Sequence, residues 1–126
     1  MLLFLFNIGC GTKSNDTSIE NSTPATFTQV ENDILGVSCA FGACHAASAG
    51  GLLLDGETDY ERLVNVESIF VSASLVVPND PDASYLVNKV EGSSNIVGDQ
   101  MPSADGLSPE QLQTLRSWIE NGALND

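Results

Sequence analysis

The sequence predicts an all-α fold, a small helical domain in which long loops connect four helices. Apolar residues recur at helical spacing in separate segments, and residues that favour helix starts precede those segments. Glycine- and proline-containing loops separate the segments. The one run of β-branched residues, 68–77, has no evident second run with which it would pair.

The first and last helices have the clearest patterns. The first is expected over about 26–37, where apolar side chains recur every three or four positions. The last begins with a capping box formed by Ser108 and Gln111, with Pro109 at the first helical position. Gly122 is expected to end it.

Two shorter helices are expected between these. The second covers about 59–66, and Thr58 opens a capping-box pattern before it. The third covers about 81–90, with Asp80 as its N-cap and Gly92 as its end. Loops as long as those that remain need a surface to pack against in so small a domain.

The charge of the chain excludes some partners and favours others. The chain has seventeen acidic and four basic residues, which gives a net charge of −13 over 126 residues. Nucleic-acid binding requires clustered Lys and Arg, so no nucleic-acid partner is expected. A protein partner with a basic patch would be attracted, and the attraction would weaken with salt.

The amino terminus resembles a bacterial lipoprotein signal. Residues 1–9 contain a short apolar run, LLFLFNI, which is too short to span a bilayer, and Cys10 follows as the expected lipid attachment residue. The polar residues of 10–26 are expected to form a flexible tether before a domain over 27–126. We expect export to the periplasm or cell surface, with membrane contact through the lipid alone. An ordinary signal peptide beside a coincidental cysteine is the alternative.

The residues with the clearest chemistry form the segment Cys39-Ala-Phe-Gly-Ala-Cys44-His45. A Cys-x-x-Cys-His run is the attachment signal of c-type haem, in which two thiols bond the vinyl groups and His ligates the iron. Four residues separate the cysteines here instead of two, and Gly42 would allow the additional residues to bulge outward. Cys39 and Cys44 are therefore candidates for the haem thioethers, and His45 for the proximal ligand.

The residue inventory supports the same assignment. If Cys10 carries lipid, Cys39 and Cys44 are the only thiols left, and His45 is the only histidine. Met101 is the only methionine after the first residue, and it lies in a glycine- and proline-containing loop, where a packing role is less expected. Pro102 restricts the backbone before it to an extended form. Met101 is therefore the candidate distal ligand.

With these features in place, the chain resembles a class I c-type cytochrome domain. The likeness covers about residues 27–124, and besides the motif and Met101-Pro102 it includes the stretches GGLLLD, PNDPDASYL and WIENGA. It implies one haem c in an apolar cleft, crossed first and last helices, His45 and Met101 as iron ligands, and electron transfer without catalysis. The candidate crossing contacts are Phe27, Val30, Leu115, Trp118 and Ile119, and the candidate haem wall is Leu52, Leu54, Leu63, Tyr85 and Leu86.

Other interpretations remain open. Cys39 and Cys44 would form a disulfide in a haem-free secreted binding module, since exported proteins reside in oxidising compartments. Without Met101 on the iron, a five-coordinate haem would suit a sensor or an enzyme. A zinc site is weaker, because its further ligands would have to come from distant residues. The acidic run 55–59 looks like the start of a calcium loop, although capping and turn roles explain it better.

Overall fold

The computed structural model describes residues 23–103 and 105–126. Helices are the regular elements of this part of the chain, and no strand forms within it, which confirms the all-α prediction at the level of fold class. Two isolated bridges, between residues 64 and 76 and between residues 67 and 74, are the remnant of the β-branched run. The predicted signal over 1–9, Cys10 and most of the predicted tether lie outside the described residues.

The first helix, α1, covers Phe27–Val30 and begins with a complete capping box. The Thr26 hydroxyl accepts from the Gln29 backbone N–H at 3.2 Å, and the Gln29 side chain accepts from the Thr26 backbone N–H at 3.0 Å. This exchange satisfies two backbone donors that a helix start otherwise leaves without partners. The predicted position of the first helix is confirmed.

The chain continues without a break from α1 into a π-helical segment, Glu31–Cys39. Its wider winding is visible at its end, where the Ala40 backbone N–H donates to Leu35 O, five residues earlier, at 2.8 Å. A π-helix of this length is unusual, and π-helical turns occur often at functional sites. The sequence pattern predicted a helix here without indicating its winding.

Two of the expected helices are shorter than predicted. The second, α2, covers Asp59–Leu63, and the Thr58 side chain makes no capping bond. In addition, the Asp55 carboxylate accepts from the Thr58 backbone N–H at 3.2 Å, the donor that the Glu61 side chain would bind in a capping box. The predicted capping box at Thr58 is therefore wrong, and an aspartate three residues earlier organises this turn instead.

The third helix, α3, covers Tyr85–Glu91 and starts four residues later than predicted. Asp80 accepts from the Ala83 backbone N–H at 3.0 Å, and the Ser84 hydroxyl donates to the backbone oxygen of Asp80 at 2.8 Å. These bonds close a turn before the helix begins. The end is as predicted, since Gly92 adopts the left-handed conformation, with φ of 70°.

The last helix, α4, covers Pro109–Glu120 and matches its prediction. Ser108 and Gln111 form the capping box, with bonds of 3.2 and 2.9 Å. Gly122 lies just beyond the helix with φ of 104°, a conformation that other residues rarely adopt. Within residues 23–103 and 105–126, no helix is both long and apolar enough to cross a membrane.

The core forms where α1 and α4 meet. Trp118 is its largest fully buried side chain, with ring-centroid distances of 5.3 Å to Phe27 and 6.4 Å to Tyr60. The indole N–H donates to Leu124 O at 2.8 Å, so burial leaves its polar atom satisfied. The other large apolar side chains that are fully buried are Ile34, Leu35, Leu63, Leu115, Ile119, Val30, Val76 and Val87.

Candidate functional site

The two cysteines lie at either end of a tight turn. Cys39 ends the π-helical segment and is half-buried, whereas Cys44 is exposed. Between them the Cys44 backbone N–H donates to Phe41 O at 3.0 Å, and Gly42 takes a left-handed φ of 56°. The two additional residues of the motif are thus accommodated in a turn that glycine allows, as expected. Both cysteines are free thiols.

His45 is held by its backbone and its side chain. It begins a 3-10 turn, His45–Ala47, and its backbone oxygen accepts from the Leu54 N–H at 3.1 Å. Its ring Nδ1 lies 3.0 Å from Leu52 O. Because a carbonyl oxygen can only accept, Nδ1 is the donor in this bond, and in the neutral tautomer with this bond Nε2 is the nitrogen with the free lone pair. This is how proteins orient a histidine that ligates a metal.

Met101 lies on a separate loop that is held against α3. Its backbone N–H donates to Lys89 O at 3.0 Å, and the neighbouring Gln100 amide donates to Val90 O at 2.8 Å. Earlier in the same loop, the Val97 N–H donates to the Tyr85 hydroxyl at 3.0 Å. These bonds fix the loop against α3, and the Met101 side chain is half-buried.

Several large apolar side chains of the described residues are exposed. Val37 and Phe41 belong to the π segment and the cysteine turn, and Val97 to the loop of Met101. Ile69 is 74% exposed and Phe70 54% exposed. A Cβ built on Gly51 would meet the Ile69 side chain at 2.6 Å, so this pair lies against the chain just after the motif. Ile69 and Phe70 thus leave apolar surface exposed beside residues 50 and 51, and exposed apolar surface of this kind is a candidate binding surface.

The predicted haem wall divides into two groups. Leu54, Leu63 and Tyr85 are buried by protein atoms, and the two leucines belong to the main core. Leu52 and Leu86 are only partly buried. The exposed residues described above were missed by the sequence argument, because apolar periodicity does not tell which apolar side chains the protein itself covers.

Burial changes the acidity of one thiol. The pKa of Cys39 is raised to about 11, first by burial and then by the negative charges of Cys44 and Glu31. The thiol of Cys39 therefore stays protonated at neutral pH.

The acidic run 55–59 forms a turn. The Asp59 carboxylate accepts from the Asp55 and Gly56 backbone N–H groups at 2.8 and 3.2 Å. Arg62 lies 2.8 Å from Asp55 and lowers the pKa of that carboxyl to about 2, chiefly by hydrogen bonding. Among the described residues no group of three or more His, Cys, Asp and Glu side chains is placed to hold a metal.

Glu31 is an acidic residue that the sequence did not single out. It lies in the first turn of the π-helical segment, and its Oε2 is buried without a hydrogen-bond partner among the described residues. Burial first, then Asp59 and Asp55, raises the pKa of its carboxyl to about 7. Only the contact between distant parts of the chain brings these acids together.

Comparisons of the chain with protein-family models, with curated proteins and with solved structures gave no match.

Proposed function

We propose that this protein transfers single electrons through one covalently bound haem c. The observation that carries the proposal is the arrangement of Cys39, Cys44 and His45: two neighbouring free thiols, followed by an imidazole whose Nδ1 is fixed on Leu52 O. The chemistry of this donor set fits haem c, because a ring that donates through Nδ1 can present Nε2 to an iron.

In this proposal each side chain has a defined task. Cys39 and Cys44 would form the thioethers with the haem, and His45 Nε2 and the Met101 sulfur would be the ligands that hold its iron. A bound haem supplies an iron that gains and loses one electron. Leu52 O keeps the imidazole in one orientation, and exposed apolar side chains such as Phe70 exclude water from the porphyrin.

The location and the partners follow from the same proposal. Lipid on Cys10 would hold the protein at a bacterial membrane, facing the periplasm or the exterior, where c-type haem proteins work. C10S should move the protein from the membrane fraction to the soluble fraction while the haem content stays the same.

The net charge of −13 favours a redox partner with a basic patch, whose association slows as salt is added.

Intact-protein mass spectrometry tests the proposal. The protein is produced in bacteria that carry the c-type cytochrome maturation system, then denatured and weighed. We expect a mass increase of one haem that survives denaturation. C39S and C44S should each lose part or all of this covalent haem, and the matched variant C10S should retain it.

The rival interpretation has its own result in the same experiment. A colourless protein lighter by two hydrogens, with Cys39 joined to Cys44, would contradict the proposal and support a haem-free module.

A further inference from the structure

Glu31 lines a cavity that also includes Ala40 and Ala46, the sequence neighbours of Cys39 and His45. The cavity has a volume of about 310 Å³. One wall comes from Gly36 and Ala40 in and after the π segment, another from Ala46, next to the proposed proximal ligand, and a third from residues 54–56. A charge on Glu31 therefore lies close to the part of the chain that would carry the haem.

The surroundings of Glu31 and Asp59 favour one proton between the two carboxyl groups. Glu31 shares its cavity with Asp55 and Gly56, a Cβ built on Gly56 would lie 3.7 Å from Glu31 Oε1, and the Gly56 N–H donates to Asp59. Two carboxylates placed in one site do not both ionise readily. Asp59 is 1% exposed, yet its oxygens accept two backbone N–H groups, which favours its ionised form. Glu31 Oε2 has no donor among the residues described, so Glu31 is the member that takes the proton.

A proton fits this cluster better than a metal cation does. Arg62 already places a positive charge 2.8 Å from Asp55 and 3.8 Å from Asp59. The titratable groups that face Glu31 are Asp59 on α2, Asp55 in the loop before it, and Cys39 at the end of the π segment. The other residues that line the cavity carry no charge.

We propose that Glu31 takes up a proton from solvent when the protein accepts an electron, so that this carboxyl group couples proton binding to electron transfer. The inference rests on the proposed function. The electron comes from a one-electron donor protein and changes ferric iron to ferrous iron. The proton comes from water and converts the Glu31 carboxylate to a carboxyl group, with no other bond made or broken.

The direction of the coupling follows from charge. Reduction removes one positive charge near the cavity, so the Glu31 carboxylate is less stabilised and its affinity for a proton rises. Glu31 is only partly exposed, so solvent screens this interaction incompletely. Since its carboxyl titrates near pH 7 in this structure, the change falls within the physiological range. The midpoint potential should therefore fall as pH rises through neutrality.

Two measurements on the haem-loaded protein test the coupling. The first is the midpoint potential between pH 5 and pH 9 for the wild type, for E31Q and for D33N. Asp33 is an exposed acid two residues along the same segment and serves as the matched control. We expect a pH-dependent potential in the wild type and in D33N, and its loss in E31Q. Unchanged pH dependence in E31Q would overturn the inference.

The second measurement is a reduced-minus-oxidised infrared difference spectrum of the wild type near pH 7, with isotope-labelled glutamate carboxyl groups. A glutamic acid band that grows on reduction supports the coupling, and its absence contradicts it. This readout needs no variant, so it decides the question even if E31Q does not fold. A colourless protein overturns the proposed function as well, whereas haem-loaded protein with a pH-independent potential overturns only the coupling.

Discussion

Met101 is the residue whose assigned role can be tested most directly. Its loop is fixed against α3 through the bond from its own N–H to Lys89 O, which holds its backbone in place whatever its sulfur binds. If the sulfur occupies the sixth iron position, no site remains for an exogenous ligand.

We expect carbon monoxide to bind slowly or not at all to the reduced wild type, and rapidly to M101A. The physical reason is that the small side chain of alanine offers no lone pair and leaves the position open. Absorbance changes after mixing with carbon monoxide measure both rates. Rapid binding by the wild type would contradict six-coordination and favour the sensor or enzyme alternative.

The two thiols should differ in reactivity before haem is attached. Cys39 is half-buried with a pKa of about 11, whereas Cys44 is exposed. In reduced, haem-free protein at pH 8, iodoacetamide should alkylate Cys44 well before Cys39, because the thiolate is the reacting form. Peptide mass spectrometry gives the order of modification.

The same reaction in urea provides the control for this prediction. Unfolding removes the burial that protects Cys39, so the two thiols should then react at similar rates. Equal rates in folded protein would show that the turn between residues 39 and 44 does not protect the first thiol.

At the scale of single elements, the starts of α4 and α2 share the same capping-box pattern in the sequence. Only one of the two forms the cap in the structure. The Ser108 hydroxyl accepts from the Gln111 N–H at the start of α4, while the Thr58 side chain makes no such bond before α2. Replacing a working cap by alanine costs about 1 kcal/mol.

S108A should therefore lower the free energy of unfolding by about 1 kcal/mol. T58A should change it by less than ~0.5 kcal/mol, as expected for a surface residue without a special contact. Urea denaturation followed by circular dichroism measures both. A loss of similar size in T58A would show that Thr58 caps α2 in solution.

These helices also show which sequence signals are sufficient to predict where a helix begins and ends. The signals for α4 all act locally and all agree, so its start and end were predictable. Asp80 and Pro81 are local signals too, but they suit a turn as well as a helix start, and Ser84 closes the turn through Asp80 O and Val77 N–H. The start of α3 was therefore predicted too early.

The features of the candidate site likewise include some that a local sequence pattern predicts and others that it does not. The order Cys39, Cys44, His45 was visible because the motif is contiguous. The hydrogen bond from His45 to Leu52 O depends on how the following turns fold back, and the contact between Glu31 and Asp59 joins residues far apart in sequence. Neither contact has a local pattern that would predict it.

At the scale of the whole molecule, charge is the dominant electrostatic feature. The chain carries 17 acidic and four basic residues, so the folded protein concentrates negative charge. Some of it is compensated by Arg116, which contacts Glu91 at 2.6 Å and Asp82 at 3.0 Å and holds α4 to the region of α3. Within residues 23–103 and 105–126 most acidic groups have no such partner, and self-repulsion opposes compactness.

Sodium chloride should therefore stabilise the protein at pH 7. Screening shortens the range of repulsion to about 8 Å at physiological ionic strength, and to about 3 Å at 1 M salt. We expect the urea midpoint to rise between 10 mM and 500 mM NaCl. The increase should be smaller near pH 4, where many carboxylates are protonated; a falling midpoint at pH 7 would mean that ion pairs such as those of Arg116 outweigh the repulsion.

The π-helical winding of Glu31–Cys39 determines the direction in which the first thiol faces. In an α-helix each residue advances by about 100° around the axis, so gaining or losing one residue before Cys39 would swing its sulfur by roughly that angle. The geometry of attachment would thus be sensitive to helical phase upstream of the motif. The spacing between the two cysteines therefore fixes only part of the geometry of such a site. The winding of the helix that carries the first cysteine fixes the direction in which its sulfur points.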